Sequence, residues 1–505
     1  MKKIYIVLSL ILILAFKYHY EHEDKMLDKA FIYAKENRNE LEKVLEYYKN
    51  DEEKLAAAKF LIRNMPYNYT LEQYYISPKK EILKLNTMKY TPDSLKKIYD
   101  SLILNGYKIK NHIKYDINYI NSKYLIQNIE AAFSIKEKPW VKKIPFDSFC
   151  KYILPYRSQI EKPSCLRDSM IKKFVPILES CHAKTSLQAC LIINNELKKI
   201  MKYKTIDTPI YPTIDETYSS GMSACDGLCN LGTFIMRACG IPISIEQTTW
   251  TKMDLGHSWC AVLDENKFYR FFPGENDPNR DASFLSSKRY LHPAKIYRRT
   301  FEAKYNNITR KNDDGYISYL KDPLIKDISC EAINDTLIDI KIPISKTIPQ
   351  KYKSKSDQIY LCTFNFYQWT PIAIGKKIDS LYYFKNIVGD NIFIISNYTN
   401  EIGMQYITAP FYINHTGKIN LFIPNKNNPQ KFTLTKNKEK SNMPHTLHYW
   451  DTNLNSFISL KYDQSTDSTQ SYSQIPSNAL LWFTIPEKIT NQRVFFIEDK
   501  KIRTY

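Results

Sequence analysis

The chain is predicted to be α+β, on three observations. Apolar side chains recur at three- and four-residue spacing through most of residues 22–205, the period of an amphipathic helix. Residues 204–300 change character, from an irregular segment to one cysteine-headed apolar helix and then alternating runs. From about residue 320, short β-branched and aromatic runs alternate with Asn, Gly and Pro, the mark of an all-β region. At 505 residues the chain is long enough for roughly two to four domains. The expected order is a helical N-terminal region over 22–165, an α+β core over 166–300, and one or two β-sandwich domains over 320–505.

The N-terminus comes first in that order. Met1-Lys2-Lys3 precedes an apolar run from Ile4 to Phe16 that only Ser9 interrupts. Positive charge followed by a short apolar stretch is the pattern of a secretory signal, and the run falls short of the roughly 20 residues of a spanning helix. Residues 1–20 are therefore expected to be a signal peptide or signal anchor. Ala15 is the only small residue suited to cleavage, so both outcomes stay open. The chain is expected to be exported, to a periplasm or cell surface, and to meet a membrane only through this segment.

Within 22–205, Leu41, Val44, Leu45 and Tyr48 share a helical face, as do Leu55, Ala58, Leu61, Ile62 and Met65 before Pro66. Further helices are expected at 92–104 and 118–135. Residues 147–157 begin a turn-rich passage. A helix over 187–200 carries Leu187, Cys190, Leu191, Ile193, Leu197 and Ile200, with Asn194 breaking its apolar stripe. Beyond it, the helix 226–239 buries Leu228, Leu231, Phe234, Ile235 and Ala238, and stops at Gly240-Ile241-Pro242. Residues 241–250 read as a strand, and His257–Leu263 with Lys267–Phe272 as a hairpin around Asp264-Glu-Asn266. Strands are expected at 357–366, 390–398, 405–413, 417–423, 478–485 and 492–498. Residues 463–477, rich in Ser, Thr, Gln and Asp, are expected to be a loop.

The chemistry concentrates in 225–259. Cys225 heads the apolar helix, where unpaired N–H groups favour a thiolate and can receive an oxyanion. His257 opens the following hairpin and could take and return the thiol proton. A third residue normally holds the imidazole tautomer; Glu275 and Asp277 are the carboxylates past the next strand. Trp250, Trp259 and Tyr211 are candidates for the substrate cleft. Cys229 lies one turn on and rivals Cys225, but mid-helix it loses the end-of-helix field. Cys181-His182 is adjacent in sequence, where side chains seldom face one another, and reads as structural. A metal site of Cys225, Cys229 and His257 lacks a fourth ligand. His292, His415, His445 and His448 show no partner spacing.

These residues resemble the transglutaminase-like superfamily, a papain-like group. Ser223-Ala-Cys225, Arg237-Ala-Cys-Gly-Ile-Pro242 and His257-Ser-Trp259 follow its pattern in order and spacing. The chain departs from that pattern at Pro273, which stands near the expected acid. Asn37–Leu45, Phe60–Pro66, Asp147–Arg157 and Ile359–Phe364 are similar to runs in large exported members from Bacteroides-type bacteria. The resemblance implies a papain-like transglutaminase core. It also implies thiol-dependent acyl transfer or hydrolysis on amides of protein or peptidoglycan peptide. The alternative is an inactive scaffold that binds glycan, peptide or protein at the cell envelope.

Composition sets the remaining expectations. Lys and Arg exceed Asp and Glu by 72 to 53, a net +19. The lysines are scattered beside Ile, Asn and Tyr rather than blocked, so no nucleic-acid partner is expected. The partner expected is a protein or peptide substrate, with cell-wall peptide or glycan as possible forms of it. Ten cysteines in an exported chain invite disulfides, but their spread gives no framework, and most read as small buried apolar residues. No cofactor is expected, and the oligomeric state stays open.

Overall fold

The computed structural model describes residues 23–204, 212–278, 293–304, 319–333, 336–344, 358–399, 403–435, 446–485, 493–499 and 501–505. The chain mixes helices and antiparallel sheets. Helices α1 (23–34), α2 (Arg38–Tyr47), α3 (Glu52–Asn64), α4 (Pro92–Leu104), α5 (Ser122–Phe133), α6 (Phe146–Tyr152), α7 (Arg167–Ser180) and α8 (Ser186–Ile200) fill the first part. Short polar side chains start several of them. Asp51, Thr91, Asn121 and Thr185 each accept the N–H of the third residue on, which satisfies an otherwise orphaned helix donor.

A three-stranded sheet of Ile82–Leu83, Tyr69–Ile76 and Lys108–Tyr115 interrupts this region. The helical reading missed it because both long strands carry polar residues on both faces, Glu72, Lys108 and Lys110 on one and Gln73 and Asn111 on the other. Helices α9 (Ile214–Ser220) and α10 (Cys225–Ala238) follow. Beside α10 lies a five-stranded sheet in the order Ile325–Asp327, Tyr297–Arg299, Ile243–Thr249, Gly256–Asp264, Lys267–Phe271. The expected hairpin forms the last two strands of this sheet, in the register Cys260 to Phe271.

One continuous buried cluster runs from Leu27 through α10 to Phe301. The boundary expected at 165/166 falls inside it, so the helical region and the core share a single interior. A buried polar knot ties them further. Asp116 accepts from Arg157 Nη2 at 2.7 Å, Tyr156 Oη at 2.8 Å and Tyr119 Oη at 3.3 Å. Burial pushes its carboxyl up to about 6 against the pull of Arg157.

The rear of the chain is β, with an eight-stranded sheet, a five-stranded sheet and a three-stranded sheet. Strand Gln358–Asn365 is buried on both faces: Ile359 and Leu361 enter one apolar cluster, Tyr360, Cys362 and Phe364 another. The second cluster also takes Trp450, Val494 and Phe496 from the five-stranded sheet, and Leu480 just before one of its strands. The expected loop at 463–477 is corrected: Thr469–Ser477 is a strand. Tyr472 and Ile475 reach a buried cluster, while Ser and Thr suit its outward positions. All ten cysteines are unpaired.

The knot at Asp116 generates a test. Asp116→Ala would leave the Arg157 guanidinium buried without its carboxylate, at a cost of about 3–5 kcal/mol. Urea unfolding is expected to show that loss, with α1–α10 melting in the same transition as the core sheet.

Candidate active site

Helix α10 positions Cys225. Ala224 is its N-cap, with extended backbone (ψ 173°) and no capping side chain, so the first N–H groups stay open toward the sulfur. Every residue from Gly227 to Ala238 is buried, while Cys225 is half-buried. Arg237, in the last turn, donates to the carbonyls of Tyr152 (3.1 Å), Arg157 (2.6 Å) and Ile243 (3.1 Å). Arg167 donates to Ile153 O at 2.7 Å and Arg237 O at 3.2 Å. These guanidiniums hold α10 against the 152–157 turn.

The strand Gly256–Asp264, second from the sheet edge, lies against α10. Its even positions face the helix: the Ser258 hydroxyl donates to the Asp226 carboxylate, and Cys260 Sγ reaches Cys229 O at 3.6 Å. The backbone N–H groups of Ser258 and Asp226 point at the Cys225 sulfur. Burial, reinforced by the Asp226 carboxylate, nevertheless pushes this thiol up to about 11. The helix-end field is outweighed, and the resting sulfur is a neutral thiol at pH 7.

His257 sits in an aromatic box. Its ring centroid lies 4.7 Å from Phe272, 6.0 Å from Trp250 and 6.2 Å from Trp259. Burial alone depresses its pKa to about 4, so the imidazole is neutral too. No hydrogen bond joins its ring to Cys225 or to a carboxylate among the described residues. The two side chains meet instead as shared walls of two cavities. One, of about 350 Å³, has Asp226, Gln247, Lys295 and Tyr297 among its walls. The other, of about 310 Å³, includes Leu228, Phe272, Pro273 and Tyr203.

The other expected site residues are placed differently. Asp277 pairs with Lys198 at 2.6 Å and accepts from Asn194 Nδ2 at 3.2 Å, which turns it toward α8 and not toward His257. Glu275 is exposed at the mouth of the apolar cavity, with no bond to His257. Pro273 packs against Gly232 so closely that a Cβ there would lie 2.7 Å from it; the place of the expected acid is a contact between turn and helix. Trp259, expected on the cleft, is a correction. It is fully buried, with its indole N–H on Glu246 Oε2 at 2.9 Å, because strand alternation turns it into an apolar cluster with Ile296 and Ile328. Trp250 backs the His257 ring and is itself buried. Tyr211 lies outside the described residues. Cys229 is fully buried; burial, reinforced by the adjacent Cys260 thiol, pushes its own thiol well above the usual range. Cys181 and His182 are exposed in the turn that ends α7.

Three contributors were not foreseen. Asn194 accepts Gly274 N–H at 2.9 Å and donates to Asn276 O at 2.9 Å, fixing the 272–277 turn. Its place on an apolar helical face was the available signal. Asn365, from the rear sheet, donates to the carbonyls of Trp250 (2.9 Å) and Leu255 (2.8 Å) and accepts Leu255 N–H. Arg493 donates to Asp254 at 2.7 Å and to Thr251 O at 2.5 Å. Together they grip the loop that leads into His257, and Thr370–Ile372 of the rear sheet wall the cavity that Lys295 lines. No cluster of metal-ligating side chains occurs among the described residues. Nor, among them, is any helix long and apolar enough to cross a membrane.

No family model and no curated protein matches the chain. Among solved structures, one from Cytophaga hutchinsonii described as a "putative cysteine protease" is similar over 22% of this chain and 38% of its own, at 16% identity and a TM-score of 0.19.

Two outcomes are expected. Asp226→Asn keeps an acceptor for Ser258 but removes the charge beside the sulfur. Iodoacetamide labelling of Cys225 at pH 7, followed by peptide mass spectrometry, should then speed up by about threefold to tenfold. The depressed pKa of His257 means that the unfolded chain takes up a proton below about 6.5 that the folded site refuses until about 4. Folding stability should therefore fall as pH drops through that window, and His257→Gln should flatten this part of the urea-midpoint profile.

Proposed function

We propose that this chain is a thiol-dependent hydrolase or acyltransferase acting on amide bonds of a protein or peptide, with Cys225 as nucleophile and His257 as general base and acid. The observation that carries this reading is the helix-end sulfur, met by the N–H groups of Ser258 and Asp226 on a cleft it shares with His257. In the reaction, the sulfur bonds to the amide carbonyl carbon while His257 takes the thiol proton. The C–N bond then breaks, His257 protonates the leaving amine, and a thioester remains. Water, or an amine, attacks the thioester and restores the thiol. Backbone N–H groups at the head of α10 face the developing oxyanion.

A neutral thiol and a neutral imidazole make this a general-base mechanism rather than a preformed ion pair. The transglutaminase-like pattern, export through residues 1–20 and a cell-wall peptide as substrate belong to the same proposal. A second reading, a binding scaffold at the cell envelope that kept the site without its chemistry, is favoured by one observation: the His257 ring has no orienting partner among the described residues.

Labelling of Cys225 by iodoacetamide checks its resting protonation, and product analysis separates the two readings. For a thiol near 11 with no ion pair, the rate should climb about tenfold per pH unit from 7 to 10. Wild type and Cys225→Ala are then incubated with a peptide library and with peptidoglycan fragments. Products that appear only with wild type, together with an acyl-enzyme mass on Cys225, support catalysis. Fragments bound equally by both and never cleaved would leave the scaffold reading standing.

A further inference from the structure

The three-stranded sheet and α4 carry a surface that the site does not use. Two turns meet at its apex. One spans 77–81, closed by Ser77 N–H to Glu81 O at 2.9 Å. The other spans 102–107, closed by Tyr107 N–H to Leu102 O at 2.9 Å. They touch: at Gly106, whose φ is +72°, a Cβ would lie 3.1 Å from Pro78. Around this junction Ile82 is 61% exposed, Ile103 71% and Leu104 86%. These side chains are not spare core. The interior of the unit is already filled by Tyr75, Leu102, Ile98 and Tyr99.

Residues 77–115 hold nine lysines against three acidic residues. None of the nine forms an ion pair among the described residues, and Lys79, Lys80 and Lys108 are exposed beside the apolar apex. The fold brings Lys79, Lys80 and Lys108 to the tip, while Lys114 lies at the far end of its strand over the Tyr119 ring. Apolar side chains at an apex ringed by unpaired cations match an anionic interface with a hydrocarbon layer beneath it. A nucleic acid would leave Ile103 and Leu104 without apolar partners. A second copy of the chain would bring like charges together.

We infer that the tip formed by residues 77–84 and 103–108 is a peripheral docking site for an anionic lipid surface, with Ile82, Ile103 and Leu104 entering the interface and the lysines meeting lipid phosphates. This inference stands apart from the reading of Cys225.

Hydrogen–deuterium exchange on the full chain tests it locally, whatever the N-terminal segment does. The chain is exposed to vesicles of phosphatidylcholine alone or of phosphatidylcholine mixed with phosphatidylglycerol. Expected is protection of 77–84 and 102–109 with the mixed vesicles only, weakened by high salt. Ile103→Asp with Leu104→Asp, at exposed positions that leave the fold intact by circular dichroism, should abolish it. Lys79→Glu with Lys80→Glu should lower the affinity of the tip for mixed vesicles by roughly tenfold. Vesicle binding that leaves these peptides unprotected overturns the inference. So does protection that appears without vesicles as protein concentration rises, or protection obtained with duplex DNA in place of lipid.

Discussion

Helix α10 is buried on every side beyond its first turn, and the rest of the structure follows from that constraint. An element so placed cannot leave polar groups to water, so its neighbours must satisfy them. Arg237 and Arg167 do this with guanidiniums bonded to backbone carbonyls of the 152–157 turn. Burial depresses both to about 10, still charged at neutral pH. A carbonyl cluster facing a cation is a strong arrangement, and it joins the helical front of the chain to the sheet that carries His257. The shared interior from Leu27 to Phe301 is the apolar side of the same constraint.

The only open end of α10 is its first turn, and there two effects compete. N–H groups of the helix and strand favour a thiolate, while burial and the adjacent Asp226 disfavour it. Burial dominates, and the same dry, aromatic surroundings keep His257 neutral. A site of this kind spends no energy separating charge at rest; proton transfer is left to the moment of attack. Among the described residues, it also receives no help from a carboxylate behind the imidazole. The turn that could have brought one is claimed by Asn194 and Lys198 on one side and by the Pro273–Gly232 contact on the other.

The rear sheets are part of this site and not an appendage to it. Asn365 and Arg493 satisfy the loop between Trp250 and Gly256, and Thr370–Ile372 close one wall of the cavity that Lys295 lines. A loop with several backbone groups held this way is stiff only while its partners are folded. The geometry of His257 therefore depends on residues more than 100 positions away in sequence, Asn365 and Arg493.

Much of this was legible in the sequence, because the signals are local. Apolar spacing located α4, α5, α8 and α10 to within a few residues, and alternation located the 243–249, 256–264 and 267–271 strands. Cysteine at a helix head and histidine at a strand start were likewise readable, since each depends on neighbours three or four residues away. Polar strands such as 69–76 and 469–477 escaped because their buried positions are few and their outward faces mimic loops. What each side chain meets was decided by tertiary structure alone. Sheet register and the packing of α8 against the hairpin send Asp277 to Lys198, hide Trp259 over Glu246 and leave His257 among aromatics. Periodicity records which face of an element is buried; it carries no information about which distant element will cover that face.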